Sequence, residues 1–305
     1  MQKDKWRATK LNLRSMPVVD VQHHFYLDSY PTRSIEEHLT WMDSVGLDKA
    51  VLTNLLPQPS DGNLPFYQKM NQELISIART YPDRLIPCPS IPIHDAKAAG
   101  TELERLVSLA NIQGALIRPI KGRIDRETLD PFYEKVCELG TTLLVHPIFR
   151  EEPLSMLFEG NAYHLGASVG FMVDSTAAIG WVIFSGLLER FPRLKLLFHH
   201  LGGTAPFLLG RFEAIYEDSG AELPRRPTEY FKRLYFDTVC YASEPLELTL
   251  RLVGPDHLLF GTDFGCPTEG LVRPKETVRL IQELSISEED KSKILGGNAV
   301  SLGVG

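Results

Sequence analysis

Eight short apolar runs, each followed by a segment with helical spacing, fill the chain and constrain its fold more than any other feature. MPVVDVQHHF leads into SIEEHLTWMDSVG, KAVLTNLL into FYQKMNQELISIARTYP, RLIPCPSIP into AKAAGTELERLVSLA, and IQGALIRPI into DPFYEKVCELG. TTLLVHPIF then leads into FMVDSTAAIGWVIFSGLLERFP, KLLFHHLGG into TAPFLLGRFEAIYED, RLYFDTVCY into PLELTLRLVG, and HLLFGTDFG into KETVRLIQELS, with EEDKSKILGGNAVSL last. Strands that alternate with helices predict a parallel sheet. Eight such units in 305 residues favour an α/β fold of the closed (β/α)8 barrel type. The alternative is an open doubly wound sheet, but no GxGxxG follows the first strand. No linker or shift of composition divides residues 1–305, so a single barrel domain is expected.

Local signals place the elements. Ser34 with Glu37 three residues on predicts a capped helix start. Pro82 and Gly140 predict helix ends, and three prolines in RLIPCPSIP predict a strand only partly bonded. AAIGWVIFSGLL, Ala177–Leu188, is the most apolar stretch at 12 residues. That falls short of the roughly 18 that suggest a membrane span, so a buried helix is expected, with Trp41 and Trp181 in the core. GGNA near the end reads as a cap and loop, and Ser287 as a helix cap. The connections 58–65 and 149–169 read as active-site loops.

Charge and cysteine content exclude several classes of function. A net charge of −7 with no dense Lys/Arg run argues against nucleic acid. The first 15 residues are polar, without an apolar signal region. Cys88, Cys137, Cys240 and Cys266 stand apart with no CxxC spacing, so no disulfide framework is expected and a cytoplasmic setting is the default.

Barrel enzymes work at the C-terminal ends of their strands. The first run ends in Gln22 and His24, two apart and so on one face; the fourth ends in Arg118, the fifth in His146, the sixth in His199 and His200, and the eighth in Asp263. Imidazoles and a carboxylate gathered at one barrel mouth suit a divalent transition metal. Parity turns His23 outward, and His199 is read in the same way relative to His200. His38, His94, His164 and His257 read as surface or capping residues, with a substrate contact the alternative for His164. Arg118 offers a planar fork to a carboxylate, with a rim salt bridge as the alternative; Lys121 and Arg150 are weaker anchors. Phe25, Tyr26, Phe149 and Phe264 follow strand ends and are candidates to line a pocket, with simple packing the alternative. Cys266 reads as a small loop residue.

These motifs resemble the amidohydrolase-2 family, the group of aminocarboxymuconate-semialdehyde decarboxylase and 2-hydroxybenzoate-type decarboxylases. The resemblance runs from about Val18 to Leu302 and rests on VDVQHHF, LLVHP, LLERFPRLKLLFHHLGG, HLLFGTDFGCP and ILGGNAVSL in that order. It implies a metal held at Gln22, His24, His146 and Asp263, and a catalytic His200. Gln22 departs from the family, which usually has His there and in some decarboxylases Glu. An amide oxygen is a weaker ligand than imidazole for zinc-like ions. Weak oxygen ligation by Gln22, a water in its place and a metal-free site all follow as readings, with Zn2+ or Mn2+ as the ion.

The resemblance implies non-oxidative decarboxylation of a small carboxylic acid, of the aromatic hydroxy acid type. Asp263 or His200 would deliver the proton and Arg118 and Phe149 would contact the substrate. Hydrolysis of a lactone, with or without metal, is the alternative on the same scaffold, and a non-catalytic binding barrel is a third. A small-molecule carboxylate partner, no nucleic acid or membrane partner, and a homodimer or larger assembly are the matching expectations.

Overall fold

A computed structural model describes residues 16–25, 34–54, 63–119, 123–148, 163–266 and 274–305. All eight expected strands are present: β1 Val19–His24, β2 Lys49–Thr53, β3 Leu85–Pro87, β4 Gly114–Ile117, β5 Thr142–Val145, β6 Lys195–Phe198, β7 Tyr235–Asp237 and β8 Leu258–Leu259. The main helices that follow them are α1 Ile35–Val45, α2 Leu64–Thr80, α3 Ala96–Ala110, α4 Asp130–Leu139, α5 Phe171–Phe184, α6 Ala205–Ile215, α7 Ser243–Val253 and α8 Pro274–Glu283.

Every strand pair is parallel, in two arcs ordered β1-β2-β3 and β4-β5-β6-β7-β8. Backbone bonds join the arcs at both seams. The Ile91 N–H donates to the Leu116 carbonyl at 2.9 Å and the Leu116 N–H to that of Pro89 at 2.8 Å. Across the other seam Val21 N–H donates to Phe260 and His24 N–H to Phe264, at 2.9 and 2.7 Å. The ring places the ends of all eight strands around one mouth.

Side-chain alternation sorts the core into two layers. Val21, Val51, Leu116, Leu144, Leu197 and Leu259 form an interior cluster, with the C-terminal Leu302 and Val304 packed into it. The intervening residues Leu52, Ile117, Val145, Phe198 and Phe236 face the helices in a larger cluster. In three strands a polar residue stands two positions beyond the interior leucine: Arg118, His146 and His199. The barrel is thus apolar at depth and polar at the mouth.

Local chemistry explains the element ends. Ser34 Oγ accepts the Glu37 N–H at 3.3 Å and Glu37 Oε2 accepts the Ser34 N–H at 2.6 Å, the expected capping box. Gly140 ends α4 in the left-handed region. β3 is limited to three residues, as its prolines predict. Ser287 caps Glu288–Ser292 through the Asp290 N–H.

Four expectations are corrected. The long helix through Phe171–Pro192 breaks at Gly186, whose φ of 68° leaves the helical region, giving α5 and a turn Leu187–Arg190. GGNA is not a cap and loop: a π turn Lys293–Gly297 runs straight into Asn298–Ser301. Gly296 makes this possible, since a Cβ there would lie 1.7 Å from the Pro17 carbonyl oxygen. Trp181 is not core but 42% exposed, with the Arg123 guanidinium 3.5 Å over its ring. The apolar run is not confined to Ala177–Leu188: Gly166–Phe184 is, among the described residues, the one helical run long and apolar enough to cross a membrane. Its Ala178, Ile179, Val182 and Ile183 are buried against the barrel, while Val173 and Trp181 face out.

Candidate active site

Register explains which side chains meet at the mouth. Val145 pairs with Phe198, so His146 and His199 are the next residues on adjacent strands and point the same way. His199 is therefore inward, not outward as expected: its ring centroid lies 5.3 Å from that of His146. Parity counted from the interior Leu197 finds it; parity counted back from His200 fails, because His200 has left the strand. His23 does face outward. It packs against Trp41 and Phe264, and a register shift in β1 between Asp20 and His23 accompanies the change of face.

Two mouth residues sit in the left-handed backbone region, His200 at φ 53° and Asp263 at φ 57°. Leu201 follows His200 at φ 54°. Such a conformation costs a non-glycine residue about 1–2 kcal/mol. The local sequence permits both bends. A Cβ on Gly203 would lie 2.3 Å from the Met172 carbonyl oxygen, and one on Gly265 2.0 Å from that of His24. Glycine thus lets the HLGG turn press on the start of α5, and the GTDFG turn press on β1.

A buried aspartate supports each bend. Asp20 Oδ1 accepts the N–H of Thr262 at 3.0 Å and of Gln22 at 3.1 Å, and its Oδ2 accepts the Thr262 hydroxyl at 2.5 Å. Its other partner is His23 Nδ1 at 3.0 Å, and His23 Nε2 meets His38 Nδ1 at 2.9 Å. His38 is accordingly buried in α1, a correction to its reading as a surface residue. Asp237, at the end of β7, accepts the N–H groups of His200 and Leu201.

His24, His146 and Asp263 each offer a ligand atom within 4.8 Å of the other two. Hydrogen-bond direction sets what those atoms present. Thr53 gives its hydroxyl hydrogen to the His23 carbonyl at 3.1 Å, so it accepts from His24 Nδ1 at 2.6 Å. His146 Nδ1 donates to the Pro147 carbonyl at 2.7 Å. Both neutral rings therefore keep their lone pair on Nε2. Burial holds both imidazoles below their ordinary value; for His24 this outweighs the pull of Asp263, and for His146 the positive charges of His200 and Arg118 add to it. Burial also raises the Asp263 carboxyl, but His200 and His24 overcome it and hold the group far below the usual carboxylate range.

The His24 lone pair consequently faces an ionised Asp263 oxygen at 3.0 Å. Two acceptors in that position repel unless a cation lies between them, so these residues fit a divalent metal. Gln22 extends the cluster. Its amide nitrogen is 2.9 Å from Asp263 Oδ1 and 3.0 Å from His200 Nε2, and its Oε1 is buried without a hydrogen-bond partner among the described residues. His200 Nε2 is 3.7 Å from Asp263 Oδ2, an ion pair rather than a hydrogen bond. Burial disfavours the imidazolium of His200, yet Asp263 and Asp237 outweigh it and raise the group above its ordinary value.

Gln22, His24, His146, His200 and Asp263 thus come together at one mouth. Arg118 follows β4 and its charge is felt at His146. Phe149 lies outside the described residues, as do Tyr26, Lys121 and Arg150. Phe264 does not line a pocket: it is fully buried and stacks on Trp41 with centroids 3.7 Å apart. Phe25 is 8% exposed and packs edge-on to His38. His257 has the expected capping role, meeting the Leu234 carbonyl at 2.9 Å through Nδ1. The sequence reading passed over Asp20 and Asp237; the available signal was an aspartate inside an otherwise apolar strand, which burial alone would forbid.

Comparison with known proteins follows the same lines. The chain is 29% identical over 251 residues to 2-amino-3-carboxymuconate-6-semialdehyde decarboxylase of Dictyostelium discoideum, covering 80% of this chain and 67% of that protein. It is 26% identical over 306 residues to gamma-resorcylate decarboxylase of Rhizobium sp. (strain MTP-10005), covering 92% and 88%. Among solved structures, dihydroxybenzoic acid decarboxylase from Polaromonas sp. JS666, determined with manganese and the inhibitor 2-nitroresorcinol, superposes with a TM-score of 0.80 over 94% of this chain and 96% of that one, at 22% identity. The family described as amidohydrolase matches residues 63–302, most of the barrel, and the chain belongs to it.

Proposed function

We propose that this protein is a metal-dependent, non-oxidative decarboxylase of a small hydroxylated aromatic acid, working as one catalytic domain over residues 1–305. The observation that carries the reading is the meeting of two neutral Nε2 lone pairs with an ionised carboxylate inside 4.8 Å, beside an imidazole whose hold on its proton two buried aspartates strengthen. The relatives named above, which act as decarboxylases, supply the reaction class.

In this reading His24, His146 and Asp263 hold a divalent cation, Mn2+ or Zn2+, with Gln22 beside them. A bound cation would supply Lewis-acid polarisation of the substrate and offset its negative charge. The chain's own residues do the rest. Asp263 stays ionised and is a poor acid, whereas His200, raised by Asp263 and Asp237, holds its proton more firmly than a free imidazole. His200 is therefore assigned as the donor. Its proton goes to the ring carbon that bears the carboxylate; the bond to the carboxylate carbon then breaks, CO2 leaves, and the electron pair of that bond restores the aromatic ring. Arg118 adds positive charge on the β4 side, suited to an anionic substrate. Phe149 is assigned to the aromatic wall. All four cysteines are free, which suits a reducing cytoplasm.

The test is CO2 release from a panel of hydroxybenzoates, with acid release from lactones measured in parallel, on protein of known metal content before and after chelation. The reading expects CO2 from at least one hydroxybenzoate, lost with the metal and regained with Mn2+ or Zn2+. Acid release from a lactone with no CO2 from any acid would replace it with a hydrolase.

A further inference from the structure

We infer that Asp237 is the positioning residue of His200, holding the proton donor in place through the backbone of the turn that carries it. The β6 ladder ends where the His199 N–H donates to the Val145 carbonyl at 3.2 Å. Beyond it the chain bends through four consecutive positive-φ residues, His200, Leu201, Gly202 and Gly203 at 53°, 54°, 73° and 67°. Glycine takes such angles freely; histidine and leucine do not. Some other part of the molecule must hold the first two.

Asp237 is placed to do so. Phe198 and Phe236 are paired in register, so the aspartate is one residue beyond that pair on the adjacent strand. Its Oδ2 accepts the His200 N–H at 3.1 Å and its Oδ1 accepts the Leu201 N–H at 3.0 Å. Oδ1 also accepts the Val239 N–H at 3.0 Å, which fixes the carboxylate to its own loop. Both oxygens are therefore engaged, and by different residues of the turn. The residue is completely buried. Burial drives its carboxyl up to about 6, while the three N–H groups and the charge of His200 oppose that rise. The β5–β6 pairing next door supports its strands without any buried carboxylate. The carboxylate serves the bend, and the bend brings His200 to 3.7 Å from Asp263.

The experiment uses the metal-loaded full chain carrying Asp237→Asn, whose single carbonyl oxygen cannot serve both N–H groups from two sides. Three quantities are read: metal stoichiometry, the His200 ring signal in a 13C-histidine-labelled sample (identified by its absence in His200→Asn), and kcat and KM on the hydroxybenzoate that turns over best. The expected result is unchanged metal content, a displaced or broadened His200 signal with the other histidine signals in place, and kcat lower by roughly 10–100-fold with KM within about twofold. A His200 signal and a kcat like those of the wild type would overturn the inference. Asp237→Ser, which leaves room for water, carries the same measurements if Asp237→Asn does not fold; if neither folds, Asp237 is a folding requirement and the positioning role is withdrawn. The kcat arm rests on the decarboxylase reading and the ring signal does not. A wild type inert on every acid therefore defeats that reading and leaves this one to the spectrum.

Discussion

The two sides of the barrel mouth solve the same problem with different consequences. At the β8–β1 seam, Asp263 is bent into the left-handed region and Asp20 ties the preceding Thr262 to β1. Across the β6–β7 pair, His200 is bent the same way and Asp237 holds its N–H directly. The first side is closed by its own contacts: Asp263 Oδ1 has Gln22 and His24 within 3.0 Å. The second is open, since both ring nitrogens of His199 and Nδ1 of His200 are buried without partners among the described residues. A closed acidic side suits an ion, and an open basic side suits an organic anion or ordered water. Metal binding and proton delivery should therefore be separable by mutation.

The sharpest way to break this comparison is His200→Asn. If the two sides are separate, turnover falls on the order of 10²–10⁴-fold, as for loss of a general acid, while metal content stays at the wild-type level. Elemental analysis beside a CO2 assay checks it. Metal lost together with activity would make His200 part of the ion's site and erase the division.

Acid stability of the metal-free protein tests the same burial from another direction. Burial lowers His24, His146 and His199, so as the pH falls through about 6.5 the unfolded chain protonates these three rings more readily than the folded chain does. Asp237, raised to about 6, works the other way between its unfolded value and 6, because there the folded chain holds the extra proton. His200 is raised, so it is protonated in both states well below 6.5 and drops out. Stability should therefore fall as the pH drops below about 6.5, with Asp237 opposing part of that fall from about 6 downward. Thermal melts of chelated protein across that range measure it. A flat profile would mean that the imidazoles are solvated, not sealed.

Asp20→Asn probes the acidic side. Asp20 touches no expected ligand side chain, but it fixes Thr262 and the N–H of Gln22 and thereby the seat of Asp263. Metal affinity should fall by about 10–100-fold, as for other residues that orient ligands, with the His200 ring signal unmoved. Chelator competition gives the first quantity and the labelled spectrum the second. An equal effect on both would join the two sides into one unit.

How much of this was legible beforehand follows from what each level of structure encodes. The alternation of apolar runs announced eight strands, and all eight form, because side-chain period is a local property. That Gln22, His24, His146 and Asp263 meet at one mouth was legible for a related reason: each lies at the end of an apolar run. His199 was misread because strand parity holds only while the chain remains a strand, and His200 leaves it through a bend that HLGG permits but does not specify. The short β3 was foreseeable from proline, and the break at Gly186 was not, since glycine is tolerated in many helices. Trp181 shows the limit of composition: an apolar helix says that burial is wanted, not which face receives it.

Gln22 stands beside the three facing ligand atoms, and the smallest expected effect tests what its neutral amide does there. In the wild type the neutral amide gives a hydrogen to Asp263 Oδ1 and lies 3.0 Å from His200 Nε2, so the metal-free carboxylate is already satisfied on that side. Gln22→Glu would set a second carboxylate about 3 Å from the first. Without a cation the two repel, and with one they share it. The metal-free variant should therefore melt below the metal-free wild type, while its affinity for Mn2+ rises by about tenfold, or 1.4 kcal/mol. Because a ligand that binds only the folded state stabilises it, the gap between melts with and without metal should widen relative to the wild type. Chelator competition and paired melts decide the matter. Unchanged affinity with a lowered metal-free melt would mean that residue 22 stands clear of the ion and that its amide serves His200 and Asp263 alone.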